Sequence, residues 1–299
     1  MSSRACAKLA AACGRLRHRL EIRLMPELPE VETIRRRLEP ALTGRRIAAA
    51  SICDARLTRP EPPAAVASAL VGKRVAGLAR RGKYLVLELG DAALAMHLRM
   101  TGSFALLGSN TGEDPSHARA TLVLDDGPRV VYRDVRRFGT WLLGGPPEVA
   151  RYLDERLGPE PLGTSFTRAW LARSLGGRTA PIKAILLDQR VVAGLGNIYA
   201  DEALWRARLC PLQPAGSLGS AQVGALRRAI RAALRRGIAC QGASLRDYVD
   251  PGGRPGNMQD EFVVYGRAGE PCLRCGSPIA KERVAGRGSC FCTACQVGA

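Results

Sequence analysis

Met25-Pro26-Glu27-Leu28-Pro29-Glu30-Val31-Glu32-Thr33-Ile34-Arg35-Arg36-Arg37-Leu38-Glu39-Pro40 is the stretch from which the rest of the chain can be read. From Pro29 to Leu38 the apolar positions Val31, Ile34 and Leu38 recur at helical spacing and share one face. Glu30 and Glu32 suit the positive end of the helix dipole, and Arg35 to Arg37 suit its negative end. Pro40 has no amide hydrogen with which to continue, so the helix is predicted to stop there. Pro26 has two readings. A proline is at home at a helix start. A proline whose nitrogen is free is also a secondary amine, able to attack an electrophilic carbon and form an iminium. The motif by itself leaves both open.

Downstream, between Arg45 and Leu143, the texture changes to short β-type runs, among them Tyr84–Leu89, Leu94–Leu98, Ala120–Leu124 and Val130–Arg133. Asp125-Asp126-Gly127-Pro128 reads as the turn of a hairpin between the last two. Hydrophobic residues make up 46% of the 299 and aromatics only 5%, so the core must be built mostly from aliphatic side chains. From Pro147 onward helices return. In Gln222–Gly237, Val223, Leu226, Ile230 and Leu234 line one face, five arginines crowd the remainder, and Gly237 is read as the end. Asp250–Asn257, rich in Gly and Pro, is predicted to be a loop.

Half of the ten cysteines lie in the last thirty residues. Cys272-x-x-Cys275 and Cys292-x-x-Cys295 can place four thiolates tetrahedrally around one structural Zn2+. Each pair sits on a tight turn with a hairpin between, and Cys290 is a bystander. The alternative is ordinary reduced thiols. At the other end, residues 1–24 carry six arginines and lysines against the single acid Glu21. This leader has no apolar segment of secretory type. It fits a transit peptide, or translated sequence upstream of a start at Met25; the second reading is preferred. A formal charge of +18 suggests a polyanionic partner such as nucleic acid, or a generally basic surface. No stretch approaches the ~20 apolar residues of a membrane span.

Met25–Thr33 resembles the amino terminus of the formamidopyrimidine-DNA glycosylase family. The resemblance continues in order through Arg81-Gly82-Lys83-Tyr84-Leu85, His97-Leu98-Arg99-Met100-Thr101-Gly102, Asp134-Val135-Arg136-Arg137-Phe138-Gly139, Val192–Ala200, Val264-Tyr265-Gly266-Arg267 and the cysteine hairpin. It implies an α+β multidomain fold: an N-terminal β-sandwich with flanking helices, then a C-terminal helix–two-turn–helix bundle plus a zinc β-hairpin. The corresponding expectation is a leader at 1–24, a catalytic sandwich at 25–146, a helical DNA-binding domain at 147–250 and a zinc hairpin at 263–297.

The resemblance also implies the activity: removal of oxidised purines (8-oxoguanine, formamidopyrimidines) from duplex DNA, followed by β,δ-elimination of the strand. It makes Pro26 the nucleophile, Glu27 the acid that assists ring opening, Lys83 the proton donor of β-elimination and Arg287 the group assigned to δ-elimination. His117, Arg136, Arg178, Lys183 and Asn197 match DNA-contacting positions, Arg178 loosely, because the family residue there is lysine. Met100, Arg136 and Phe138 match an intercalating wedge. An enzyme that attacks a sugar carbon must rotate the nucleotide out of the stack and fill the gap. Taken alone, Lys83 and Arg287 are ordinary surface cations, Gly194–Asn197 a simple helix cap, and Met100 and Phe138 candidate core residues. Two departures stand beside the wedge: Arg99 where the family usually has glycine, and Val135 where it usually has proline. The loop around Arg246–Met258 is expected to cover the flipped base. Partner and place follow from the same likeness: duplex DNA containing oxidised bases, no membrane, a monomer in the bacterial cytoplasm at the nucleoid.

Two alternatives remain. The sister class, endonuclease VIII, removes oxidised pyrimidines with the same fold, but typically has glycine at the position of Leu28. A non-catalytic zinc-containing DNA-binding protein would result if the leader is retained, because an amide-bonded Pro26 has no nucleophilic lone pair.

Overall fold

The computed structural model describes residues 25–109, 112–245 and 248–297. The leader, and Arg246 and Asp247 of the expected lesion-covering loop, lie outside the described residues. Helix α1 spans Leu28–Leu42. It begins one residue earlier than predicted and continues through Pro40. A proline in the last turn removes only the bond that its own N–H would have made, and the helix closes beyond it with Thr43 N donating to Glu39 O at 2.9 Å. Burying Leu38 and Leu42 against the sandwich favours that extension.

Eight strands then form two antiparallel sheets. One has the order β1 (Ile47–Ile52), β6 (Ala118–Leu124), β7 (Arg129–Asp134), β5 (Gly102–Leu107); the other has β2 (Gly77–Arg81), β3 (Tyr84–Glu88), β4 (Ala93–His97), β8 (Thr140–Gly144). The Asp125–Pro128 turn joins β6 to β7 as expected, with Leu124 N donating to Pro128 O at 3.0 Å. Val31, Ile34 and Leu38 of α1 pack with Leu85, Leu94, Leu122, Val130 and Trp141 in the sandwich core. Helix α2 (Pro63–Leu70), between β1 and β2, is too short and alanine-rich to show a helical period in sequence.

The second half is helical: α3 (Pro146–Asp154), α4 (Arg168–Leu175), α5 (Ile182–Leu186), α6 (Asn197–Ala207) and α7 (Ser220–Ala239). Helix α7 passes through Gly237 rather than ending there. Glycine is needed at that point because a Cβ would overlap the Tyr199 ring of α6. Leu28 of α1 is buried in this helical core, not in the sandwich, so the start of α1 is the seam between the halves. Strands β9 (Ile279–Val284) and β10 (Arg287–Cys292) form the terminal hairpin. Among the described residues, no helix is long and apolar enough to cross a membrane.

Candidate active site and nucleic-acid interface

The start of α1 docks on the start of α6. Leu28 N donates to Gly194 O at 3.0 Å. The Glu27 carboxylate accepts Ile198 N at 2.9 Å and Tyr199 N at 3.4 Å, so the free amides of a helix N-terminus hold it. This contact explains both glycines of Gly194-Leu195-Gly196. A Cβ on Gly196 would overlap the Glu27 carboxylate, and one on Gly194, which also has φ of +82°, would press on Leu28. The turn that sequence leaves as either a simple cap or a phosphate clamp is the seat of Glu27.

Burial pushes the pKa of Glu27 up, against the opposing pull of Lys83 and the α6 amides. Beneath it lies Glu30, also buried, which accepts Glu27 N at 2.9 Å, Tyr199 Oη–H at 2.8 Å and Ala243 N at 2.8 Å. Burial and then the neighbouring Glu27 push the Glu30 carboxyl up to about 7. Lys83 follows the tight Gly82 turn between β2 and β3, which packs on Ala193 and Gly194. The Lys83 side chain is buried, and burial, then the positive charge of Arg287, lowers its pKa, with Glu27 and Glu30 opposing. Glu27 and Arg287, from separate parts of the chain, therefore both act on Lys83. A carboxyl inclined to hold a proton beside an amine inclined to release one is a pairing suited to proton transfer. Arg80 fastens the β2–β3 turn, with Nε to Glu32 at 3.0 Å and Nη2 to Glu160 at 2.8 Å.

The expected wedge is built differently. Phe138 is 46% exposed, which removes it from the core, and Met100 is half-buried. The Arg136 guanidinium lies 4.5 Å from the Phe138 ring centroid. Behind them the buried Asp134 carboxylate accepts Phe138 N at 2.9 Å, Gly139 N at 2.7 Å and the Thr101 hydroxyl, while Thr101 Oγ1 accepts Arg136 N at 3.0 Å. Arg137 adopts φ of +58° and is tied to Asp54 at 2.7 Å. That ion pair holds the Asp54 carboxyl below its ordinary value. Met25, Arg56, Arg59, Arg99, Met100 and Phe138 share an open cleft of about 590 Å³, which joins the expected wedge to the residue before Pro26. Arg99 has φ of +54°, the conformation that explains why glycine is usual there, and its N–H donates to His97 Nδ1 at 2.9 Å. Burial and the cations Arg99 and Lys83 push His97 down to about 3, so its ring is neutral. Val135 is exposed beside Arg136.

Of the remaining expected DNA contacts, His117 is exposed with φ of +64°, and its carbonyl receives Asp134 N at 3.0 Å, beside the wedge. Arg178 is exposed on the loop after α4, its Nε on Ser174 O at 3.0 Å. Lys183 and Asn197 converge on the hairpin instead, both donating to Gly288 O, at 3.0 and 3.2 Å. Lys183 is wholly buried and ion-paired to Asp201 at 2.7 Å. Burial lowers the Lys183 ammonium and pushes Asp201 up to about 6. Arg287 is exposed at the hairpin tip.

The thiolates of Cys272, Cys275, Cys292 and Cys295 lie within 4.8 Å of one another. Four sulfurs at ~2.3 Å from one zinc are separated by less than that, so the set fits a tetrahedral structural site. Cys290 is buried outside the cluster, its N–H on Asp201. Sequence reading gave Glu30 only a helix-dipole role and Asp134 only a place in a motif, and did not name Asp54, Asp201 or Glu202. Glu202, fully buried, accepts Val263 N, Val264 N and Tyr265 N at 3.0–3.1 Å and binds Arg206 at 2.7 Å, fixing the approach to the hairpin. The available signal was two adjacent acids on a helix otherwise apolar from Ile198 to Trp205.

A sandwich and a helical bundle meeting at a proline-initiated helix, with a four-thiolate hairpin brought to the same seam, is the layout of a zinc-containing base-excision glycosylase. Family models agree: the formamidopyrimidine-DNA glycosylase N-terminal domain matches residues 25–141, its helix–two-turn–helix domain 157–249, and the zinc finger found in this family and in isoleucyl-tRNA synthetases 269–297. The chain belongs to the formamidopyrimidine-DNA glycosylase family. It is 48% identical over 277 residues to the formamidopyrimidine-DNA glycosylase of Chloroflexus aggregans, covering 91% of this chain and 99% of that one. Among solved structures it resembles the Lactococcus lactis enzyme bound to DNA with an abasic site (TM-score 0.84, 40% identity, 91% and 99% coverage). It equally resembles the wild-type enzyme with DNA containing N7-benzyl-Fapy-dG (TM-score 0.84, 39% identity, 91% and 100% coverage).

Proposed function

We propose that this chain excises oxidised purines from duplex DNA and then nicks the strand, with Pro26 as nucleophile once its nitrogen is free. The observation that carries the reading is the seating of Glu27 on α6 directly beside Lys83, with Pro26 adjoining. The proline nitrogen attacks C1′ of the flipped nucleotide, and the glycosidic bond breaks with its electron pair leaving on the base. The Glu27 carboxyl, whose proton affinity burial raises, gives its proton as the sugar ring opens. Loss of a C2′ proton from the resulting iminium expels the 3′-phosphate, Lys83 serving the proton transfers. Arg287 at the hairpin tip faces the remaining phosphate for the second elimination. The wedge of half-buried Met100 and Arg136 and exposed Phe138 fills the gap, and His117, Arg178, Lys183 and Asn197 serve the DNA-binding side. The unit at 25–146 supplies the nucleophile, those at 147–250 and 263–297 the clamp, and the setting is the bacterial cytoplasm.

The purine branch is favoured over the pyrimidine branch by Leu28, which is fully buried in the helical core against Gly194. Single-turnover excision on 8-oxoguanine paired with cytosine, compared with oxidised thymine in the same duplex, tests the assignment. Faster release of the purine lesion is expected; the reverse order overturns it.

A further inference from the structure

Resting on the catalytic roles just proposed, we infer that Asp201 is a positioning residue for Arg287 and thereby controls the second elimination without controlling the first. Arg287 opens β10 opposite Val284, whereas the zinc ligand Cys292 closes the same strand opposite Ile279. Five residue steps along the strand separate them, roughly 16 Å at ~3.3 Å per step. A two-stranded ribbon that long does not hold its tip rigidly by itself, so the metal alone does not place Arg287. The grip lies between.

Asp201 Oδ1 accepts Ser289 Oγ–H at 2.9 Å and Lys183 Nζ at 2.7 Å, while Oδ2 accepts Cys290 N at 2.9 Å. Lys183 also donates to Gly288 O at 3.0 Å, joined there by Asn197 Nδ2 at 3.2 Å. Asp201, Lys183 and Ser289 are all buried, so no water competes for these bonds. Every residue from 288 to 290 is thus fastened immediately behind Arg287. The fastening point is α6, whose first turn also holds Glu27. One rigid helix therefore sets the acid of the first step with its N-terminal amides, and the cation of the last step with a carboxylate one turn on. Lys183 works through Asp201 and Gly288 on the same strand.

The two eliminations make different demands on this grip. Imine formation and loss of the 3′-phosphate use Pro26, Glu27 and Lys83, none of which touches Asp201. In the second elimination the C4′–H bond breaks and water takes the proton. The electron pair passes into the iminium system, then returns to expel the 5′-phosphate from C5′. The leaving phosphate carries the pair and needs a fixed cation, Arg287.

The test uses the full zinc-loaded chain with Pro26 as its first residue, on a duplex containing a preformed abasic site. Three quantities are read: the ratio of δ- to β-elimination ends, the yield of borohydride-trapped cross-link, and zinc per chain. Asp201→Asn, which keeps the shape but loses the ion pair, should lower the δ:β ratio at least ~10-fold, with trapping within ~2-fold and one zinc retained. Ser289→Ala, which removes one hydroxyl and leaves the ion pair, should lower it by a smaller, ~3-fold factor, and carries the test if the first variant does not fold. An unchanged ratio in zinc-loaded Ser289→Ala, or β- and δ-elimination falling together in either variant, overturns the inference. Failure of the unaltered chain to form any trapped cross-link would instead overturn the assignment of Pro26.

Discussion

The proposed catalytic seam and the proposed wedge hold their functional groups in opposite ways. At the seam, Glu27, Glu30 and Lys83 are themselves buried, and their environment alters their proton affinity. At the proposed wedge, Phe138 stands toward solvent with half-buried Arg136 over its ring, and the fully buried group is Asp134 behind them. The difference follows from the task. Proton transfer needs a dry site where charge states can be set. Insertion into a duplex needs a side chain that is presented outward yet held from behind. Chemistry and DNA reading should therefore fail separately.

The largest separation is expected for Glu27→Gln. It keeps one acceptor oxygen for the closer α6 amide, Ile198 N, but carries no carboxyl proton, so base excision should fall about 10²–10⁴-fold with lesion-duplex affinity nearly unchanged. Rapid-quench excision and fluorescence titration check the two halves; parallel losses would mean that the seam is structural. Next comes Asp134→Ala. It leaves the N–H groups of Phe138 and Gly139 without an acceptor, each worth about 1–3 kcal/mol, and lesion binding should drop on the order of 10–100-fold. Cleavage of a preformed abasic site at saturating protein should stay within a few-fold. Loss of abasic cleavage to the same degree would erase the distinction between the regions. Phe138→Ala removes stacking alone, worth about 1–3 kcal/mol per base, and should weaken lesion-duplex binding about ten-fold, with melting temperature unchanged.

The smallest effect is a pH dependence of stability. The Glu30 carboxyl is raised from 4.5 to about 7 in the folded chain. Its stabilising contribution is complete below 4.5, where both states hold the proton, and is lost as pH rises through about 7. Melting temperature should thus fall more between about pH 5 and pH 8 in the unaltered chain than in Glu30→Gln. Equal falls would show that burial does not set this group's proton affinity.

The two regions also differ in how much their sequence discloses. The hairpin turn at Asp125–Pro128, the apolar stripe of α7 and the spacing of the four zinc cysteines are local signals, and the fold realises each. Pro26, Glu27, Lys83 and the wedge residues were reachable because whole motifs resemble a family. Glu30, Asp201 and Glu202 were not, since what makes each important is a partner distant in sequence. Glu30 meets Ala243, and Asp201 meets Ser289. Pro40 and Gly237 misled for a related reason. Their local meaning is helix termination, and tertiary packing at Leu42 and Tyr199 outweighs it. Arg99 is the converse case: a residue in a glycine-type conformation, held by a bond to His97 that sequence does not announce.

The central claim is that Pro26 acts through a free secondary amine, and borohydride trapping on lesion DNA tests it most directly. Two forms are compared, one whose first residue is Pro26 and one that retains residues 1–25, its mass verified before and after reaction. An amide nitrogen is delocalised and forms no iminium, so the first form should give a stable covalent cross-link and the second none. Equal cross-linking by the intact longer form would show that another group is the nucleophile.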